Sequence, residues 1–453
     1  MPATVRQTFN QTLARQFLAD VIGTEKEFYI GIGKSDVFPN AVVDGETIVD
    51  YPYLPADGNL EESEFRHNLQ SIKKVEGAII VAKRNNWVSD AIYHEWSDVK
   101  NAEEDTAFYV LNDAKEVYVC LETGRDGDGN LVASTVKPSY CELNYDYTRP
   151  FRTSDGYVWK FLYKLTPQQI FQYLSSNHVP VSLTGPVSNC DNSAIEDLQM
   201  NVINAAVKGE IIRCEVTSKG SGYTTTPTVT VVGDGDGNAT AEATMVDGEI
   251  VKITMINYGS GYTRASFVLD GTPTTECKTR AVITRHMGND PVDDLKTSSV
   301  MLNIKPDGTE GNTFIVENEF RQIGVLQDPL ALDGTPYTEI SGKVMSVMHF
   351  ETDSPFSNGS LIRGQGEYPA EAYVNESVDQ YLLYHQNENT GFLPFQLGDV
   401  VKEVGSDAEA TVTGLTFRQE IDRYSGEVLY IENRYRIIRD AEQQEDIKVV
   451  ITI

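Results

Sequence analysis

Residues 425–453 read SGEVLYIENRYRIIRDAEQQEDIKVVITI and alternate twice between two sets of side chains. Over 428–434, Leu429, Ile431 and Asn433 fall on one side and Val428, Tyr430 and Glu432 on the other. Over 447–453, Ile447, Val449 and Ile451 oppose Lys448, Val450 and Thr452. A period of two built from β-branched and aromatic residues predicts two strands, with the polar run 439–446 as their link. The last run carries no charged tail, so it is expected to pair within a sheet and leave no open edge. Glu432 and Arg434 share a side of the first strand, which predicts a same-face ion pair. The fold class expected is mainly β: a β-sandwich core with a few helices.

Four earlier stretches have the same character. They are EFYIGIGKSDVF (27–38), EVYVCLE (116–122), DGYVWKFLYKL (155–165) and FRQIGVLQDPL (320–330). Taken in this order, with SGEVLYIENR (425–434) behind them, they resemble the small, dimeric baseplate wedge subunit of T-even-type contractile-tailed phages. Together the pieces cover roughly a sixth of the chain, and none is a catalytic motif. The resemblance implies a structural protein of the virion tail baseplate, made in the host cytoplasm. Such a subunit forms a two-fold dimer and docks on other baseplate wedge proteins. It implies no catalytic residue, no cofactor and no metal. The residues it offers as interface or scaffold positions are Trp159, Phe320, Arg321, Tyr430, Glu432, Asn433 and Arg434.

A chain of 453 residues is long enough for two or three domains with their own cores. Against 37 Lys and Arg stand 67 Asp and Glu, and no basic block offsets the net charge of −30. Nucleic-acid binding is therefore not expected. Membrane insertion is not expected either, because no run reaches the ~18–20 apolar residues of a spanning helix. The opening MPATVRQTFNQ lacks the basic and apolar regions of a signal peptide, which predicts folding in a cytoplasm. The acidic clusters Glu61, Glu62, Glu64 and Glu103, Glu104, Asp105 read as solvated loop faces. Cys120, Cys141, Cys190, Cys214 and Cys277 form no CxxC pair and are odd in number, so buried free thiols are expected.

In chain order, residues 5–22 predict a helix with a Thr8–Gln11 capping box and an apolar stripe of Phe9, Leu13, Phe17, Val21 and Ile22. GIGKS (31–35) invites a phosphate-loop reading, but the glycine such a loop needs five positions before Gly33 is Phe28. His94-Glu95 lacks the second histidine of a zinc-protease helix, since that place is Asp98. Trp87 and Trp96 read as half-buried packing in loops. RDGDGN (125–130) matches the first ligands of a calcium loop. It then has Leu131 where Gly belongs and Lys137 where Glu belongs, so a turn is expected. Tyr157, Trp159, Phe161 and Tyr163 form one face of a core strand. Thr166-Pro167-Gln168-Gln169 predicts a capped helix start, and 193–207 a second helix capped by Ser193 with Glu196.

An internal repeat follows. GEIIRCEVTSKGSGYT (209–224) recurs 39 residues on as GEIVKITMINYGSGYT (248–263). Each copy predicts a strand and a glycine turn, and two copies are too few for a solenoid, so the halves must pack on each other. Tyr223 and Tyr262 read either as core plugs or as exposed glycan contacts. The expected organisation is a core in 1–208, 286–340 and 416–453, interrupted by this module at 209–285 and by a small β barrel or sandwich at 341–415.

The histidines are scattered and no nucleophile elbow occurs, so no enzyme is expected. The function expected is a baseplate wedge component that scaffolds peripheral wedge and fibre proteins and relays the rearrangement before sheath contraction. The alternative is a receptor- or glycan-binding tail protein using the GSGYT module. A tail polysaccharide-degrading enzyme has only abundant acids and aromatics behind it.

Overall fold

A computed structural model describes residues 4–99, 107–143, 146–183, 193–304, 319–416, 420–438 and 447–453. Strands take 42% of the chain and helices 12%, in several antiparallel sheets and one six-stranded barrel, so the mainly β expectation holds. The chain divides into two compact units. One comprises Met1–Gln16, Ile79–Met301 and Thr452–Ile453, and the other Phe17–Ala78 and Leu302–Ile451.

The second unit is built on a five-stranded antiparallel sheet. Its order is Ser341–Lys343, Leu69–Lys74, Phe28–Gly33, Glu319–Gln327 and Glu427–Ile438. Gly31 and Gly324 face each other across the two middle strands. A Cβ on Gly324 would lie 2.3 Å from the Phe65 ring, and one on Gly31 would lie 2.6 Å from Leu69. The two missing side chains thus make the notch in which Phe65, from the helix Asn59–Asn68, is fully buried. GIGKS is therefore a strand end. Lys34 turns out of it with φ 64° and its amide donates to the Asn68 carbonyl at 3.2 Å. A closed barrel occupies Ser346–Thr416, with a core of Met348, Phe350, Phe356, Ile362, Val374 and Val412.

In the first unit the strands Tyr109–Leu111, Glu116–Glu122, Val158–Lys164 and Phe151–Arg152 form an antiparallel sheet. Tyr157 and Trp159 stack at 5.6 Å within its core, with Tyr118 and Phe161 beside them. Thr166 caps the helix Pro167–Tyr173 through the reciprocal Thr166–Gln169 capping box. In the tandem module, the strands Ile211–Ser218 and Lys278–Ile283 pair. Glu249–Asn257, Thr240–Val246, Thr228–Gly233 and Ala265–Leu269 form a second sheet, and the two halves share one core. Asp247 and Gly248, at φ 51° and 77°, make the hairpin turn between Thr240–Val246 and Glu249–Asn257.

Several local expectations need correcting. The first helix is Gln7–Ile22, so Thr8 lies inside it, and Gln11 spends its side chain on the Val292 carbonyl at 3.0 Å. Its buried residues are Gln11, Ala14 and Leu18, while Phe9, Leu13 and Ile22 of the apolar stripe are exposed. Glu61 and Glu62 lie in the first turn of Asn59–Asn68, where the helix dipole favours acids; this helix has no side-chain cap to announce it. Cys141 is exposed, whereas Cys120 and Cys214 are buried. Cys190, the Glu103–Glu104–Asp105 cluster and the Ser193 and Glu196 side chains lie outside the described residues. The final strand, Lys448–Thr452, is the end strand of its sheet and does not neighbour Glu427–Ile438.

Candidate interaction surface

The strand Glu427–Ile438 is twelve residues long, contains no Gly or Pro, and is the last strand of its sheet. Arg66, itself buried, fixes its start: its guanidinium donates to the carbonyls of Arg423 (2.9 Å), Ser425 (2.7 Å) and Gly426 (2.8 Å). An extra residue opposite Val325–Leu326 then shifts the alternation. As a result Val428 packs on the same core as Ile431, although strict alternation sets them on opposite sides.

Beyond this bulge one face is polar. Arg434 Nε lies 2.9 Å from Glu432 Oε1, the same-face ion pair expected from the alternation, and the Tyr430 hydroxyl donates to Glu432 Oε2 at 3.0 Å. Burial, then the Glu432 charge and hydrogen bond, push the Tyr430 hydroxyl up to about 12, so it stays a donor at neutral pH. Arg436 pairs with Glu319. On the other face Asn433 accepts from Gln322 Nε2 and donates to the Tyr53 carbonyl, each at 3.0 Å. Leu429, Tyr435 and Ile438 are 40%, 59% and 47% exposed.

The remaining scaffold candidates are internal. Trp159 is fully buried in the aromatic core and Phe320 is buried on the neighbouring strand of the long edge strand. Arg321, with only 2% of its side chain exposed, donates from Nε to both Asp50 oxygens at 2.9 and 2.7 Å and from Nη1 to the Ser35 carbonyl. Each of these side chains packs within its own unit and offers no outer surface.

In the tandem module Tyr223 and Tyr262 are buried. The Tyr223 hydroxyl accepts from the Cys277 amide at 2.9 Å, and the Tyr262 ring lies where a Cβ on Gly233, Gly235 or Gly259 would stand. The exposed tyrosines that motivated a glycan contact are thus core plugs. A second Asp-Gly turn, GDGDGN (233–238), is tied to the second GSGYT turn. Asp234 accepts from the Thr263 hydroxyl and the Arg264 and Thr263 amides, and Asp236 accepts from Asn238 and Ser260. Asp126 likewise accepts from Asp128 and Asn130.

The module is fastened to the neighbouring sheet by Arg213, which donates to the carbonyls of Trp96 (3.0 Å) and Leu121 (2.8 Å). A cavity of about 220 Å³ beside it is lined by Glu95, Glu122, Arg125, Lys219 and Lys252 among others. Burial works against the Glu95 carboxylate, yet Arg213, the Thr123 hydroxyl and Arg125 together hold it below its usual range. Arg213, Arg66 and Asp50 escape sequence reading, because their partners are distant in the chain and no local pattern marks them.

Among the described residues no group of three His, Cys, Asp or Glu is placed to hold a metal. Nor is any helix there long and apolar enough to cross a membrane. The mainly β, multi-sheet architecture and its long edge strand define the class of the protein as far as fold and surface go. No protein-family model matches the chain, and no curated protein matches it.

Proposed function

We propose that the chain is a structural component of a phage tail baseplate wedge, which scaffolds peripheral wedge and fibre proteins and relays the rearrangement before sheath contraction. The observation that carries this reading concerns the five stretches that bear the resemblance. They are scattered from Glu27 to Arg434, yet they fall into two groups of adjacent strands. Phe28–Gly33, Glu319–Gln327 and Glu427–Ile438 are consecutive strands of one sheet, and Glu116–Glu122 pairs with Val158–Lys164 in another. The resemblance therefore falls on one sheet in each unit.

A scaffold needs a body that moves as a piece and several faces that grip. Within each unit separately, Arg321 and Arg213 lock loops and module to sheets through buried, multiply bonded guanidiniums. Its partners in this reading are a second copy of itself and other wedge proteins, and its place is the virion's tail baseplate. Gold-labelled antibody against the chain, applied to intact particles, should decorate the tail's end-plate. Label elsewhere on the particle, or turnover of a polysaccharide by the purified chain, overturns the reading.

A further inference from the structure

We propose that a cavity in the first unit, lined by Arg84 and His178, binds a short sugar carrying one acid group, a uronate or a sugar phosphate. The inference goes beyond the scaffold reading and does not rest on it.

The cavity measures about 640 Å³, within the range of small-ligand sites, and every residue lining it belongs to the first unit. Lys83, Arg84, His178 and Lys296 line it, and among the described residues no Asp or Glu does. In a chain with 67 Asp and Glu against 37 Lys and Arg, such a lining runs against the composition. The cavity beside Arg213 follows the composition instead: its cations are answered by Glu95, Glu122 and Glu215.

Arg84 is the centre of the site. Its amide donates to the Asn177 carbonyl at 2.8 Å, which sets it beside His178 on the neighbouring strand. Nε donates to Asn86 Oδ1 at 2.9 Å and Nη1 to the Ser175 carbonyl at 2.8 Å. Both acceptors are neutral oxygens, so these bonds hold the guanidinium still and leave its charge and Nη2 for an acid group. Burial lowers the His178 imidazole, so it is neutral at pH 7 and offers one N–H. Lys83 and Lys296 add positive field; of the two acids near Lys296, Asp98 and Asp293, the first is bound to Arg280.

The neutral lining points to a sugar. Thr297, Ser298 and Ser299 are engaged with the Val81 carbonyl, the Ile453 carbonyl and the Thr452 hydroxyl. The side chains of Asn85, Ser176 and Asn177 make no hydrogen bond among the described residues. Two amides and a hydroxyl both donate and accept, as sugar hydroxyls require, and Phe108 adds an apolar wall. Lys83, His178, Ser299 and Thr452 are each the end residue of a strand. The cavity thus meets strand ends and offers no ladder for an acidic peptide to extend. The net charge of −30 opposes a long polyanion, so the ligand is short and carries one acid group.

The test is saturation-transfer NMR on the full chain at pH 7 and low salt. D-glucuronate, D-galacturonate and glucose 6-phosphate are each titrated to about 20 mM. At least one should bind with a Kd of about 5 mM or tighter, and uncharged D-glucose about tenfold more weakly. Arg84→Gln should weaken the acid sugar by about tenfold, and Arg84→Lys by less, since a point charge remains without the fork. Asn177→Ala, at an exposed position, should weaken the sugar by about threefold and leave inorganic phosphate unchanged. Circular dichroism and the unfolding midpoint confirm that each variant is folded. Weaker binding of all three acid sugars overturns the inference, as does equal binding of D-glucose or indifference to Arg84→Gln. Inorganic phosphate binding as tightly as the best sugar would show a plain anion hole and overturns it too. So does tighter binding of an acetylated and amidated triglutamate peptide. None of these outcomes touches the particle-labelling result, so failure here is distinct from failure of the scaffold reading.

Discussion

The amide of Tyr223 donates to the carbonyl of Gly248 at 3.1 Å, and at the equivalent places one repeat apart Tyr262 donates to Gly209 at the same distance. Ile211 to Tyr258 and Ile250 to Lys219, each 3.0 Å, repeat the exchange. Each half of the module thus supplies the hydrogen-bond partner that the other lacks. The leading glycine and the GSGYT turn are kept together because they meet across halves.

That clasp distinguishes two glycines of similar backbone. Gly209 has φ 69° and a Cβ there would lie 2.5 Å from the Tyr262 carbonyl oxygen, whereas Gly261 has φ 74° and open space around it. Gly261→Ala should lower stability by about 1 kcal/mol, the strain of a left-handed residue, and Gly209→Ala by about 3 kcal/mol. Urea unfolding of both variants measures the difference; equal losses would sink the clasp.

Arg213→Met removes the two carbonyl bonds that fasten the module and leaves Glu95 with Arg125 as its guanidinium partner. A loss of about 3 kcal/mol at pH 7 is expected for breaking one side of a buried pair. The sign with pH follows from Glu95, whose folded carboxyl is held below the ordinary value of 4.5. Its contribution is present above that value and lost as pH falls through the folded one. The gap between wild type and variant should therefore narrow from pH 7 to pH 3 in denaturant titrations.

Arg321 and Asp50 should behave as one unit. Asp50 stands at φ 56°, which Asn tolerates, so Asp50→Asn removes the charge without forcing the backbone. A loss of about 2–3 kcal/mol is expected, and Arg321→Met should cost less in the Asp50→Asn background than in the wild type. Additive losses in the double-mutant cycle contradict the pairing.

His385 sets an acid limit on the second unit. It is buried in the barrel, its Nδ1 lies 2.7 Å from Asn375 Oδ1, and its Nε2 has no hydrogen-bond partner among the described residues. Burial first, then the charges of Arg423 and Lys34, push it from 6.5 down to about 3. Above the unfolded value both states are neutral and nothing is lost. Below it the unfolded chain takes up a proton that the folded chain refuses, so stability should fall by up to about 1.4 kcal/mol per pH unit until the folded value is reached. His385→Gln should flatten that slope in urea titrations at pH 7 and pH 5; an unchanged slope excludes His385 as its source.

Gly324→Ala should push its methyl into Phe65 and destabilise by about 1–3 kcal/mol, with partial recovery on adding Phe65→Leu. Thermal unfolding of the single and double variants reads both effects.

Much of the local structure was legible. The alternation of 430–434, the Thr166–Gln169 capping box, the Asp-Gly turns and the strand character of the five resembling stretches all act within a few residues, whereas the bulge at Leu429 puts Val428 on the side of Ile431. The pairing of the repeat's halves also followed, since two copies cannot bury themselves separately. What escaped was set at long range. The stripe of Gln7–Ile22 says that a helix is amphipathic and not what it meets: Phe9, Leu13 and Ile22 are exposed, while Gln11, Ala14 and Leu18 are buried. The helix Asn59–Asn68 was missed because Gly58 gives it no side-chain cap.

The sequence by itself determined a mainly β chain, the places where it turns, and the symmetry of its tandem module. These depend on backbone preferences and on periods of two, which neighbours along the chain express. Only the tertiary structure decided that Gly31 and Gly324 make one notch for Phe65, that Tyr223 and Tyr262 face inward, and that Glu427–Ile438 ends its sheet. Strand order and burial arise from contacts between segments hundreds of residues apart, and no local pattern carries them.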